Sequence, residues 1–150
     1  MAAREVSVED LPALVGQDLG VSDWFAVDQK RIDDFAEVTE DRQWIHIDVE
    51  RATREIGGPI AHGFLSLSML SVMHYDILRV RGAVRGVNYG FNKVRFLNPV
   101  PAGARVRLRE TLLSVEPKAG GLALTRACTV EIEGQDKPAL FAEWVGLVYT

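Results

Sequence analysis

The sequence predicts an α+β domain in which one long buried helix is wrapped by a curved antiparallel sheet. Three observations lead there. From residue 63 to about residue 80, apolar side chains (Phe64, Leu65, Leu67, Met69, Leu70, Val72, Met73, Ile77, Leu78) fall almost all round a helical wheel, so this helix needs cover on most sides. Four strand-like stretches follow it, and together they supply that cover. No repeat, low-complexity tract or Pro/Gly/Ser linker interrupts the 150 residues, so residues 1–150 are expected to form one domain.

The elements can be taken in order. A short strand is expected over residues 24–27. Asp28 is the N-cap of a helix whose apolar positions are Ile32, Phe35, Ala36 and Val38, ending near Thr39. Residues 40–46 read as a polar loop, and Asp48 caps a short helix through Val49, Ala52 and Ile56. Gly57-Gly58-Pro59 breaks the chain before the long helix. A strand then runs over residues 84–96, and Pro99 and Pro101 mark a turn. Val106 and Leu108 alternate with Arg105, Arg107 and Arg109. Leu122, Leu124, Cys128, Val130 and Ile132 alternate with smaller or polar residues, and Arg126 is the misfit on the apolar side. Gly134 and Pro138 punctuate the last turn, and residues 139–149 make the final strand.

Composition bounds the function classes. With 47% hydrophobic and 25% charged residues the chain is of globular type, not disordered or fibrous. The first ten residues are mixed and acidic, which is unlike a secretory signal. The most apolar segment contains His62, His74 and Asp76, so no membrane span and no membrane partner are expected. A single cysteine, Cys128, cannot form an internal disulfide, and its inward register marks it as a core residue. The expectation is a soluble cytoplasmic protein.

The net charge of −4 hides an asymmetry: residues 79–109 carry eight bases and no acid. That block is either a set of solvated strand faces or a docking surface for a phosphorylated ligand. The pI of 5.4 argues against a nucleic-acid partner.

Three histidines and nearby carboxylates are the candidates for chemistry. His46, His62 and His74 sit on different predicted elements, and without an HxxH, HExxH or Cys-pair motif no metal is expected. There is no Gly-x-Ser-x-Gly elbow, P-loop or dinucleotide glycine fingerprint. Asp41 and His46 remain, five apart on one loop. By themselves they are as well explained by a cap and a surface side chain. Trp44 and Ile45 between them argue that the loop packs inward, where an Asp–His pair can tune its protonation. Gly63 stands where the long helix begins, so its backbone N–H could receive a developing oxyanion. A steric need at a tight turn would demand the same glycine.

At this point the residues resemble a known family. Asp41-Arg42-Gln43-Trp44-Ile45-His46 followed by Ala61-His62-Gly63-Phe64 is similar to the MaoC-like dehydratases, which include the (R)-specific enoyl-CoA hydratases. Asn88-Tyr89-Gly90-Phe91-Asn92-Lys93-Val94-Arg95-Phe96 and Pro99-Val100-Pro101 resemble the nodulation-protein-N-like branch. The resemblance runs from about Gly16 to the C-terminus. It implies the hot-dog fold, a homodimer with an acyl tunnel near the subunit interface, and reversible hydration of a trans-2-enoyl thioester. It makes Asp41 and His46 catalytic and gives the thioester carbonyl to the Gly63 amide. Ser71 is implied as support for the dyad. His62 matches the motif but is given no role. One departure stands inside the dyad loop, where Gln43-Trp44 replaces the family's Asn-Pro; Gln43 is expected to make the supporting hydrogen bond instead. The substrate implied is an acyl-CoA or acyl-carrier thioester, so coenzyme A belongs to the substrate and no metal or redox cofactor is implied. A thioesterase of the same fold and a non-catalytic acyl-thioester-binding module are the alternatives.

Overall fold

The computed structural model describes residues 2–150. The chain opens with a short strand, β1 (Arg4–Val6), and a 3₁₀ helix (Val8–Leu14), neither of which the sequence pattern signals. Strands β2 (Asp18–Val21) and β3 (Phe25–Val27) follow, then α1 (Gln29–Thr39), the one-turn α2 (Trp44–Ile47) and α3 (Val49–Ile56). The central helix comes as α4 (Gly63–Ser68) and α5 (Leu70–His74), joined through Met69. After β4 (Leu78–Val80) come the long strands β5 (Arg85–Phe96), β6 (Ala104–Lys118), β7 (Gly121–Ile132) and β8 (Leu140–Tyr149).

The expected caps form. Asp28 accepts from Arg31 N at 2.8 Å, and Asp48 accepts from Arg51 N at 3.1 Å. Three expectations need correction. The long helix stops at His74, because residues 78–80 form β4 and pair in parallel with β1, Leu78 opposite Arg4. It is also not covered on most sides: Phe64, Val72 and Tyr75 stay exposed. The loop at 40–46 contains the start of a helical turn at Trp44.

The main sheet runs β2-β6-β7-β8-β5, with β3 also pairing β6, and its neighbouring strands are antiparallel. Side chains that alternate inward on β6, β7 and β8 bury against the central helix. Leu65, Leu70 and Met73 share one core with Leu108, Leu112, Leu124, Val130 and Leu140. Cys128 is fully buried in that core, and burial pushes its thiol far above the ordinary range, so it is no nucleophile. Arg126, the misfit of the pattern, does face inward and is 4% exposed. Strand β5 forms the outer edge of the sheet, with Val87, Tyr89, Phe91 and Phe96 exposed along it.

Candidate active site

The loop between α1 and α2 is shaped by local hydrogen bonding. Glu40 closes α1 in the left-handed conformation (φ 64°), which turns the chain sharply just before Asp41. Thr39 Oγ1 donates to Phe35 O at 2.7 Å and accepts from Asp41 N at 3.4 Å. Gln43 O then accepts from His46 N at 3.0 Å, which winds α2 and turns the His46 ring inward. The supporting hydrogen bond expected of the Gln43 amide does not form: its side chain is exposed, and only its main-chain carbonyl takes part in the loop. Trp44 packs under the Arg51 guanidinium, 4.1 Å from the ring centroid.

A second segment, residues 60–62, clamps this loop. Ile60 N donates to Ile45 O at 3.0 Å, and Ala61 N donates to Val100 O at 2.8 Å. Ile60 O lies 2.6 Å from His46 Nδ1. A carbonyl only accepts, so Nδ1 carries the proton and Nε2 is the basic nitrogen of the neutral ring. Burial pushes the His46 pKa below the ordinary imidazole value; neighbouring His62 adds to this, while the Ile60 bond and Asp41 oppose it.

His62, which the sequence reading left without a role, is the second imidazole of the site. It is buried, stacks on His46 with 3.7 Å between ring centroids, and donates from Nε2 to the Asp41 carbonyl at 2.9 Å. Sixteen residues of separation had set the two histidines on different elements, which they are; the 60–62 clamp brings the elements together. Only its place beside Gly63 in the sequence could have pointed to it. One ligand atom from each of Asp41, His46 and His62 lies within 4.8 Å of the other two. This is the set that could close on a cation, though each imidazole already commits one nitrogen to a main-chain carbonyl.

His46, Gly63 and Ser66 line a cavity of about 250 Å³, closed by Phe96, Asn98 and Leu140 among others. Gly63 is at the first position of α4, where the N–H has no intrahelical partner. Its lack of a side chain has a steric cause as well: a Cβ there would lie 2.9 Å from the Phe96 ring. Both readings of this glycine therefore apply. Ser71 does not line this cavity; it lies on α5 and lines a second one, and the buried serine beside His46 and Gly63 is Ser66.

The basic block divides. Arg105 pairs with Glu133, Arg107 with Glu131, and Arg109 with both Asp18 and Glu131. These are surface ion pairs on the sheet. Arg79 and Arg85 instead line the second cavity.

Residues 10–131 match the family model described as the MaoC like domain. The chain belongs to the MaoC-like dehydratase family. Among its relatives is nodulation protein N of Rhizobium leguminosarum bv. viciae, 46% identical over 97% of this chain and 92% of that one. The 3-hydroxyacyl-thioester dehydratase Z of Mycobacterium tuberculosis H37Rv is 45% identical over 91% of this chain and 92% of its own. Solved structures of the same architecture include the R-hydratase PhaJ1 of Pseudomonas aeruginosa, with TM-score 0.73 and 24% identity over 89% of this chain and 81% of that one. The (R)-hydratase of A. caviae has TM-score 0.71 and 22% identity over 88% and 94% of the two chains. The fold of this MaoC-like chain is accordingly the hot-dog fold, with the helix α4–α5 as its filling.

Proposed function

We propose that this protein is an (R)-specific enoyl-CoA hydratase and 3-hydroxyacyl-thioester dehydratase, adding water reversibly to a trans-2-enoyl thioester. The observation that carries the reading is the fixed tautomer of His46. With Nδ1 held on the Ile60 carbonyl, a buried and neutral imidazole lines the cavity with Nε2 as its base, beside Asp41.

The chemistry follows from that arrangement. Asp41 and His46 Nε2 hold one water between them. As its oxygen attacks C3, His46 Nε2 takes the water proton and the C2–C3 π electrons move onto the thioester oxygen. The Gly63 N–H stabilises that enolate oxygen. The imidazolium then returns the proton to C2, which restores the carbonyl and the neutral ring. One group serves both proton transfers, so OH and H add to the same face. Dehydration is the reverse. The scheme uses no metal or redox cofactor, and coenzyme A or an acyl-carrier pantetheine enters as part of the substrate. We also propose that the protein works as a homodimer through β5, whose outer edge has no strand partner among the described residues and which exposes Val87, Tyr89, Phe91 and Phe96.

The deciding assay uses a short trans-2-enoyl-CoA and follows conjugated-enone absorbance together with free thiol. Loss of absorbance without thiol is the expected result. Release of thiol would make the protein a thioesterase instead, and neither change would make it a binding module.

A further inference from the structure

The second cavity, about 620 Å³, lies at the far end of the central helix between α5 and the β5–β8 edge of the sheet. Its volume is in the range of small-molecule sites. Ser71, His74, Arg79, Arg85, Arg126 and Trp144 supply its polar and aromatic lining, and no aspartate or glutamate is part of its wall. Leu78, Val80, Val87, Leu147 and Val148 make the remainder largely aliphatic.

Arg126 is the unusual member. It is only 4% exposed, and its Nε is a buried donor without a hydrogen-bond partner. Among the described residues no carboxylate lies within ion-pair distance of it, and no protein acceptor takes a bond from its guanidinium. The neighbouring polar groups are already committed. Glu110 is fully buried and has both oxygens on His74 Nδ1, at 3.0 and 2.9 Å. The Trp144 indole N–H donates to Asn88 Oδ1 at 3.1 Å. The guanidinium carbon sits over the Trp144 ring, 3.7 Å from its centroid, a cation–π contact that helps hold the group in place. Gly146 makes room for it, since a Cβ at that position would lie 2.6 Å from Nη2. Burial works against its charge, and the more distant Glu110 works for it.

A planar guanidinium held in place, with a free donor and no carboxylate within ion-pair distance, fits a bidentate oxyanion such as a carboxylate, because two N–H groups can meet two oxygens. The aliphatic walls call for an apolar body attached to that carboxylate. We propose that this cavity binds the carboxylate end of an aliphatic acid, with Arg126 as its anchor and Arg79 and Arg85 adding positive potential. The carboxylate has two sources: a free fatty acid, or the distal end of an acyl group whose thioester sits at Gly63. The second source rests on the proposed hydration reaction and the first does not. Gly63 and Ser66 line one cavity and Ser71 and His74 the other, on the consecutive helices α4 and α5.

Titration calorimetry of the full-length protein with decanoate and with decanol tests the site itself. Decanoate is expected to bind roughly ten- to a hundredfold tighter than decanol, the usual worth of a charge-assisted hydrogen bond. Arg126→Met should remove that preference, and Arg126→Lys should keep part of it. Should Arg126→Met fail to fold, the quenching of Trp144 fluorescence by decanoate but not decanol, absent in Trp144→Phe, gives the same answer in an otherwise native chain. Equal binding of acid and alcohol would overturn the proposal. A second arm compares kcat/KM for trans-2-enoyl-CoA substrates of equal length ending in a methyl or a carboxylate. Preference for the carboxylate end, lost in Arg126→Met, identifies the acyl group as the source; a decanoate site without that preference identifies a free acid. If the methyl-ended substrate is not hydrated either, the hydration reading fails, while calorimetry still decides the site.

Discussion

His46 and His62 stack face to face, their ring planes 22° apart, and each is tied by one ring nitrogen to a carbonyl of the other's chain segment: Ile60 for His46, Asp41 for His62. The pair locks the tautomer of the base and the position of the loop that carries Asp41. It also makes a second positive charge in the stack unfavourable, so His62 helps hold the His46 pKa below the ordinary imidazole value of 6.5. The acid limb of kcat/KM for hydration is therefore expected below pH 6.5, with activity lost as pH falls through it. His62→Gln keeps a donor for the Asp41 carbonyl but removes the neighbouring imidazole, and should move that limb upward. A pH–rate profile of both proteins checks this; an unmoved limb would remove His62 from the tuning of the base.

The same shift fixes the sign of a stability effect. As pH falls, an unfolded chain protonates His46 at its ordinary value, while the folded chain resists until a lower pH. Between the two values the unfolded state holds more protons, so stability declines with falling pH across that window and levels off beneath it. Urea midpoints measured from pH 7.5 downward should show this component in the native protein and lose it in His46→Gln.

Removal of either dyad member should slow the reaction without unfolding the protein. Asp41→Asn and His46→Gln are each expected to lower kcat by about 10²–10⁴-fold, the usual contribution of a positioned acid–base group. KM should change little, since neither residue carries the thioester. Far-UV circular dichroism and a thermal melt confirm the fold. Undiminished hydration in both variants would place the chemistry elsewhere.

Gly63 separates sterics from catalysis. Gly63→Ala sets a methyl group against the Phe96 ring, and overpacking of this kind costs about 1 kcal/mol. Phe96 is half exposed and can move, so Phe96→Leu on top of Gly63→Ala should restore the melting temperature. The methyl would still crowd the amide proposed to receive the thioester oxygen. Activity is expected to fall by about a hundredfold, the effect of losing one oxyanion donor, and to stay low in the double variant. Recovery of activity together with stability would reduce Gly63 to a packing residue.

What the sequence made legible was local. The Asp28 and Asp48 caps, the inward alternation of β7 and the Asp41–His46 loop all follow from side chains within a few positions of one another. What it concealed depends on contacts between distant segments. The central helix stops short because residues 78–80 find β1 more than seventy residues away, and no window around Leu78 contains that partner. His62 reaches Asp41 only because residues 60 and 61 bond to Ile45 and Val100. Ser71 and Ser66 look interchangeable on an apolar helix, and which cavity each lines depends on the rotation of that helix against the sheet. Arg126 is the instructive intermediate: its place on the apolar side of β7 was visible as an irregularity, but the Trp144 face, Gly146 and the cavity it meets come from another strand.

The pair formed by Glu110 and His74 should matter more to stability than any surface ion pair of the sheet. Glu110 is fully buried between β6 neighbours and its carboxylate meets one imidazole nitrogen with both oxygens, whereas the Arg105–Glu133 pair is about half exposed. Removing the carboxylate leaves the His74 N–H without its acceptor and a void in the core, which together cost about 3 kcal/mol; losing an exposed ion pair costs about 0–1 kcal/mol. Glu110→Ala is thus expected to lower the folding free energy by about 3 kcal/mol and also to withdraw the negative charge that supports Arg126. Glu110→Gln keeps an acceptor for His74 and should cost less than half as much. Glu133→Ala, on the surface, should be nearly silent. Urea unfolding at constant m-value measures all three, and equal midpoints for Glu110→Ala and Glu133→Ala would show that the buried pair holds no special place in the fold.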